Sequence, residues 1–236
     1  MTPLNRLLLV SSLLAAPVLL SSSEVVRKYV ARGEVESGDP VADAHDKIAQ
    51  VAAEPGLWQL HSYLTLVGVL AWLGAMIAVA AVVSPRRPVL GAVGGVLGVA
   101  SGLAYAAHLG FYSVPLGTAA GLAGEELDAA ARVWATGDGG GFSLTIVFVF
   151  IATMLFGQLV IGLGLWRARV APWWAAACLP LAAALAFDPG RSPWWGLPML
   201  LVLVPFGFAA SRLGSGEPLP IPPAAAPRPH VPTGTA

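Results

Sequence analysis

Six apolar stretches of helix length, with arginine at each turn on one side, constrain this 236-residue chain more than any other feature. A helix needs about 20 apolar residues to cross the hydrocarbon core, and within lipid each backbone polar group must find its partner inside its own segment. The stretches cover residues 4–20, 57–83, 89–112, 142–166, 172–187 and 194–210. Arg86 and Arg87 follow the second, Arg167 and Arg169 the fourth, and Arg212 the sixth. The expected fold is an all-α integral membrane helical bundle of about six transmembrane helices.

Composition removes the soluble alternative. Hydrophobic residues make up 56% of the chain and charged residues 11%, outside the range of a soluble domain. The formal net charge is zero, so nothing points to nucleic acid, and the bilayer is the first partner implied. The lone Cys178, inside an apolar stretch, reads as a small buried hydrophobe.

Four regions are expected. Residues 1–23 form a first transmembrane helix, and 24–56 an extracytoplasmic segment with an amphipathic helix. Residues 57–211 form a five-helix transmembrane bundle that includes an extracytoplasmic loop, 113–141, and 212–236 form a disordered Pro/Ala-rich cytoplasmic tail. The first stretch is the weakest, interrupted by Asn5, Arg6, Ser11, Ser12 and Pro17 and followed by Ser21, Ser22 and Ser23. A cleaved signal peptide is the alternative reading of it, and either way residue 24 emerges on the same side.

Basic residues in short turns accumulate on the cytoplasmic side. Arg86, Arg87, Arg167 and Arg169 lie on one side against Arg191 on the other, which places both termini in the cytoplasm of a multi-pass cell-membrane protein. Of the acids, only Glu217 falls inside. Arg27, Lys28 and Arg32 follow the first span on its outer side and are the exception.

Two outer segments carry helical patterns. Asp39-Pro40 starts a helix with Val41, Ala44, Ile48 and Val51 on one face, stopped at Pro55-Gly56. Thr118 caps a second, with Leu122, Leu127, Ala130, Ala131 and Trp134 on its face, before the glycines of 137–141. Both are expected as short amphipathic helices that cap the bundle or lie on the membrane surface.

In the third span Gly91, Gly94, Gly95, Gly98, Ser101 and Gly102 form a stripe that lets another helix approach closely. Continued outward, the same face reaches Tyr105 and His108. The matching series on the second span is His61, Thr65, Gly68, Trp72 and Ala75. Both histidines are thus expected about one turn inside the outer ends of neighbouring helices. Two imidazoles so placed could ligate haem b, and with His45 or with Glu125, Glu126 or Asp128 they could bind zinc or copper. Neither spacing matches a recognised ligand motif. The competing reading is that each histidine bonds across helices or to headgroups.

Gln158, inside the fourth span, is expected to join helices by hydrogen bonds. Asp188 and Arg191 read as a solvated pair in an outer turn. Trp58, Trp166, Trp173, Trp174, Trp194 and Trp195 fall near span ends, as an aromatic belt does. No charged residue lies deep within spans two to six, which argues against a pump or proton-driven exporter. No nucleophile or acid–base pair converges, so no catalytic residue is assigned.

The run Gly162-Leu163-Gly164-Leu165-Trp166-Arg167-Ala168-Arg169-Val170-Ala171-Pro172-Trp173-Trp174 resembles an ALWRSRxxPRW pattern in small polytopic membrane proteins of high-GC actinobacteria. The entry Glu54-Pro55-Gly56-Leu57-Trp58, the glycine-rich third span and the ending from His108 to Tyr112 are similar too, so the likeness covers most of residues 40–210. Trp173 stands where that pattern has arginine. The resemblance implies a bundle of this kind but no activity and no catalytic residue. The leading expectation is a non-enzymatic membrane component that binds a partner protein, a lipid or a small hydrophobic ligand. The second is a haem- or metal-binding redox protein using His61 and His108.

Overall fold

A computed structural model describes residues 2–31, 38–138, 141–186 and 193–215. The elements are α1 (Pro3–Val30), α2 (Pro40–Ala53), α3 (Pro55–Val83), α4 (Pro88–Ala119), α5 (Gly124–Asp138), α6 (Gly141–Arg167), α7 (Trp173–Ala186), a 3-10 segment (Pro193–Val202) and α8 (Leu203–Gly214). The all-helical bundle anticipated from hydropathy is what the chain forms. Proline opens α1, α2, α3 and α4, where its missing N–H costs nothing. Asp39 caps α2 as its sequence suggests, its Oδ1 accepting from Val41 N at 2.9 Å and Ala42 N at 3.4 Å.

Among the described residues, five helices are long and apolar enough to cross a membrane: Pro3–Val30, Pro55–Val83, Pro88–Ala119, Thr145–Arg167 and Gly196–Gly214. The protein is a multi-pass membrane protein. At 14 residues α7 extends about 21 Å, short of the roughly 30 Å hydrocarbon core. The last span gains length differently. Its first part is a 3-10 segment around Pro198, which rises about 2 Å per residue.

Two boundaries differ from expectation. Helix α1 continues through Ser21, Ser22 and Ser23 to Val30, so Glu24, Arg27 and Lys28 belong to it. Serine hydroxyls satisfied by neighbouring helices do not end a helix in a bundle. Helix α4 passes Tyr112 and ends at Ala119, which absorbs Thr118; that hydroxyl donates to Val114 O instead of capping α5. His108 consequently lies well inside α4 and not one turn from its end.

The spans close into a ring. Helix α1 packs on α3, α3 on α4, α4 on α6, α6 on α7, α7 on the 3-10 segment, and that segment on α1. Neighbours run antiparallel, as in α1 and α3, where Ser12 meets Gly74, Leu20 meets Gly68 and Ser23 meets Thr65. The start of α1, the end of α8 and both arginine turns therefore share one end of the bundle, the arginine end. Helices α2 and α5 pack together over the other, the cap end.

Glycine sets the closeness of this ring. A Cβ at Gly98 would collide with Met76 Sδ, and one at Gly94 would stand 3.0 Å from Ile161 Cγ1, so the α4 stripe serves both α3 and α6. The facing series on α3, from His61 to Ala75, is buried, but Gly68 receives Leu20 of α1 and not α4.

Two apolar cores result. The larger fills the arginine half, where α8 enters the ring and Phe206 packs on Trp72, ring centroids 5.9 Å apart. The smaller joins the cap to the ends of α1, α3 and α4 through Val30, Ile48, Val51, Trp58, Leu116 and Trp134. Trp58 is thus a core residue, 3% exposed, whose Nε1 donates to Ser113 O at 2.9 Å. Trp166, Trp173 and Trp174 stay exposed, as belt residues do. Arg32, Gly139, Gly140, Asp188, Arg191, the tail 216–236 and the side chains of Trp194 and Trp195 lie outside the described residues.

Candidate functional site

Between the two cores the ring surrounds a half-open cavity of about 510 Å³. It lies where α1, α3 and α4 face α6 and the 3-10 segment. Leu20, Val69, Trp72, Phe150, Met154 and Met199 supply its apolar part; Glu24, Arg27, Lys28, Lys47, His61 and His108 its polar part. The two are separated along the bundle. On α3 the lining runs from His61 and Thr65 down to Val69 and Trp72, and on α1 from Arg27 and Glu24 down to Leu20.

At the centre of the polar part Arg27 donates to Glu24 Oε2 through Nε at 3.0 Å and Nη2 at 2.9 Å. Tyr105 Oη, from α4, donates to the other oxygen, Oε1, at 2.5 Å. Both carboxylate oxygens are occupied, and the guanidinium is held in place with Nη1 outside those two bonds. An ion pair three residues apart on one helix is geometrically ordinary. Its position on a helix long and apolar enough to span a membrane is not, because charge there is costly unless paired or facing a polar space.

His61, 2% exposed, is surrounded by hydroxyls. Its Nδ1 lies 2.7 Å from Ser23 Oγ and 3.2 Å from Ser23 O, and its Nε2 3.2 Å from Ser113 Oγ. Ser23 Oγ also meets Thr65 Oγ1. Either neutral tautomer therefore finds partners, and three helices are joined at one imidazole. His108 is half-buried in an aromatic column, stacked on Tyr105 at 6.4 Å and on Tyr112 at 5.2 Å. Phe150 stacks on Tyr105 at 5.1 Å, and Tyr112 meets Trp134 edge-on at 5.6 Å.

The structure thus brings His61 and His108 to one cavity and leaves His45 apart. His45 Nε2 lies 3.2 Å from Asp128 Oδ1 and links α2 to α5 in the cap. Among the described residues no three His, Cys, Asp or Glu side chains are grouped to hold a metal ion. A metal or haem iron on His61 would take a nitrogen from Ser23 or from Ser113. Sequence reasoning missed Glu24, Arg27, Ser23 and Ser113. The available signal was the charged Glu24 and Arg27 directly after the serines, which stood out only as an exception to the charge rule.

Comparison of the chain with known protein families, with curated proteins and with solved structures finds no match.

Proposed function

We propose that this is a non-enzymatic membrane protein that binds a small hydrophobic or amphipathic ligand in the cavity between its two cores. The observation that carries this reading is the cavity itself. It is about 510 Å³, within the roughly 300–1,000 Å³ of pockets that enclose one small molecule, mostly apolar with a few convergent polar groups. In the cell membrane, with both termini in the cytoplasm, the cap and the cavity belong to the extracytoplasmic half. The likeness to small actinobacterial membrane proteins is compatible with this and adds no activity.

Mass spectrometry of protein purified from its native membrane tests the reading. One enriched small molecule is expected, and Ile151→Trp, which fills the cavity from α6, should reduce it at least fivefold without lowering the unfolding midpoint. Absence of any enriched species, or full retention by Ile151→Trp, rejects the proposal.

A second reading, haem b or zinc or copper at His61 and His108, draws on their sharing this cavity. A Soret band or stoichiometric metal, lost in both His61→Ala and His108→Ala, would favour it over the first.

A further inference from the structure

We propose that the ligand is an amphiphile with an anionic headgroup, its charge held by Arg27 and its chain running down to Trp72. This rests on the cavity being a ligand site at all, and it adds what the site selects.

Three observations carry the inference. The first is charge. The described charged residues that line the cavity, Glu24, Arg27, Lys28 and Lys47, lie towards its cap end, so charge is confined to one end of it. The second is geometry. Both oxygens of Glu24 are occupied, one by Tyr105 and one by Arg27, so Glu24 holds the guanidinium in position more than it offers a site of its own. Arg27 keeps 29% of its side chain exposed, and Nη1 takes no part in its bonds to Glu24. A fixed guanidinium with a donor to spare suits a carboxylate or a phosphate, the anions its planar fork matches.

The third is length. From His61 to Trp72 along α3 the lining descends about 16 Å, at a helical rise of about 1.5 Å per residue. That is about half of the roughly 30 Å hydrocarbon core, the depth of one leaflet. Over this distance the lining changes from charged to apolar and ends on Trp72, backed by Phe206. An amphiphile in a leaflet has the same order of charge and chain along the same axis. A small uncharged hydrophobe would offer Nη1 of Arg27 no acceptor, and neither would a quaternary ammonium.

Equilibrium binding to the full chain in phosphatidylcholine nanodiscs, corrected for empty nanodiscs, tests this with four ligands of one chain length: dodecanoate, dodecyl phosphate, dodecanol and dodecyltrimethylammonium. Saturable one-to-one binding is expected for the two anions, at least tenfold tighter than for the alcohol, with the cation weakest. The two anions separate a carboxylate source from a phosphate source: whichever binds tighter names the headgroup. Arg27→Gln should remove the preference for anions, and Arg27→Lys should keep part of it. Should Arg27→Gln misfold because Glu24 is left unpaired, Glu24→Gln with Arg27→Gln supplies the uncharged site. Equal binding of alcohol and anions, or an unchanged preference in these variants, overturns the headgroup assignment while leaving the cavity reading intact. No saturable binding of any of the four overturns both.

Discussion

Two buried polar side chains show how differently residues with similar sequence signals end up. His61 lies on a face that its spacing marks as packed, and the structure surrounds it with Ser23, Thr65 and Ser113. Gln158, expected to join helices, is 3% exposed, and its Oε1 meets no donor among the described residues. An unsatisfied buried polar atom costs about 1–3 kcal/mol, whereas a replacement by an apolar group of similar shape can be neutral or stabilising. His61→Ala should therefore lower the unfolding midpoint in detergent by several degrees, since it strips partners from the hydroxyls of α1 and α4. Gln158→Met should leave the midpoint unchanged or raise it. If the two variants behave alike in a thermal scan, the assignment of roles is wrong. That His61 is buried was readable from periodicity. Its partners were not, because Ser23 and Ser113 lie 38 and 52 residues away and no local pattern links them.

At the scale of elements, the turns at the arginine end serve two purposes. Arg86 donates to Ala168 O and Arg87 Nε to Arg167 O at 3.4 Å, so arginines that read as topological markers also tie one turn to the other. Helix α6 ends in a Schellman arrangement, with Arg169 N donating to Trp166 O at 2.9 Å and Val170 N to Leu165 O at 2.9 Å. Arg169 has φ 56°, a left-handed conformation that costs a residue with a Cβ about 1–2 kcal/mol. Arg169→Gly should raise the unfolding midpoint; a fall would show that the side chain contributes more than the backbone loses.

A second element contact depends on the absence of a side chain. Pro180 deprives Ala176 O of its helical donor. Gly162 of α6 faces that carbonyl, and a Cβ there would stand 2.8 Å from it. Gly162→Ala must push α6 from α7, an overpacking cost of about 1–3 kcal/mol. A midpoint equal to wild type would show that the two helices adjust freely. Helix existence was legible from hydropathy throughout. The ends of α1 and α4 were not, because both helices continue where tertiary partners satisfy residues that locally read as boundaries.

For the whole molecule, the antiparallel ring puts the start of α1, the end of α8 and both arginine turns at one end, and α2 and α5 at the other. Cytoplasmic placement of the arginine end follows from the proposed orientation. In a Cys178→Ala background, a cysteine at Glu125 in the cap should react with an impermeant maleimide added to intact cells, and one at Ser215 only after the cells are opened. The reverse pattern would invert the orientation and move the cavity to the inner leaflet.

The apolar stretches by themselves determined that the chain is an all-helical membrane bundle, because crossing lipid is a local matter in which each segment must satisfy its own backbone. Asp39-Pro40 likewise announced α2 by a cap that acts within four residues. The cavity was decided only by the tertiary structure. It is the space left when a ring of six elements fills its arginine half with α8 and covers its other half with a cap. Glu24 and Arg27 looked misplaced along the chain, since a charge rule counts residues and cannot see what they face. Packed against α3 and α4, the same two residues meet Tyr105 and line the polar part of the cavity.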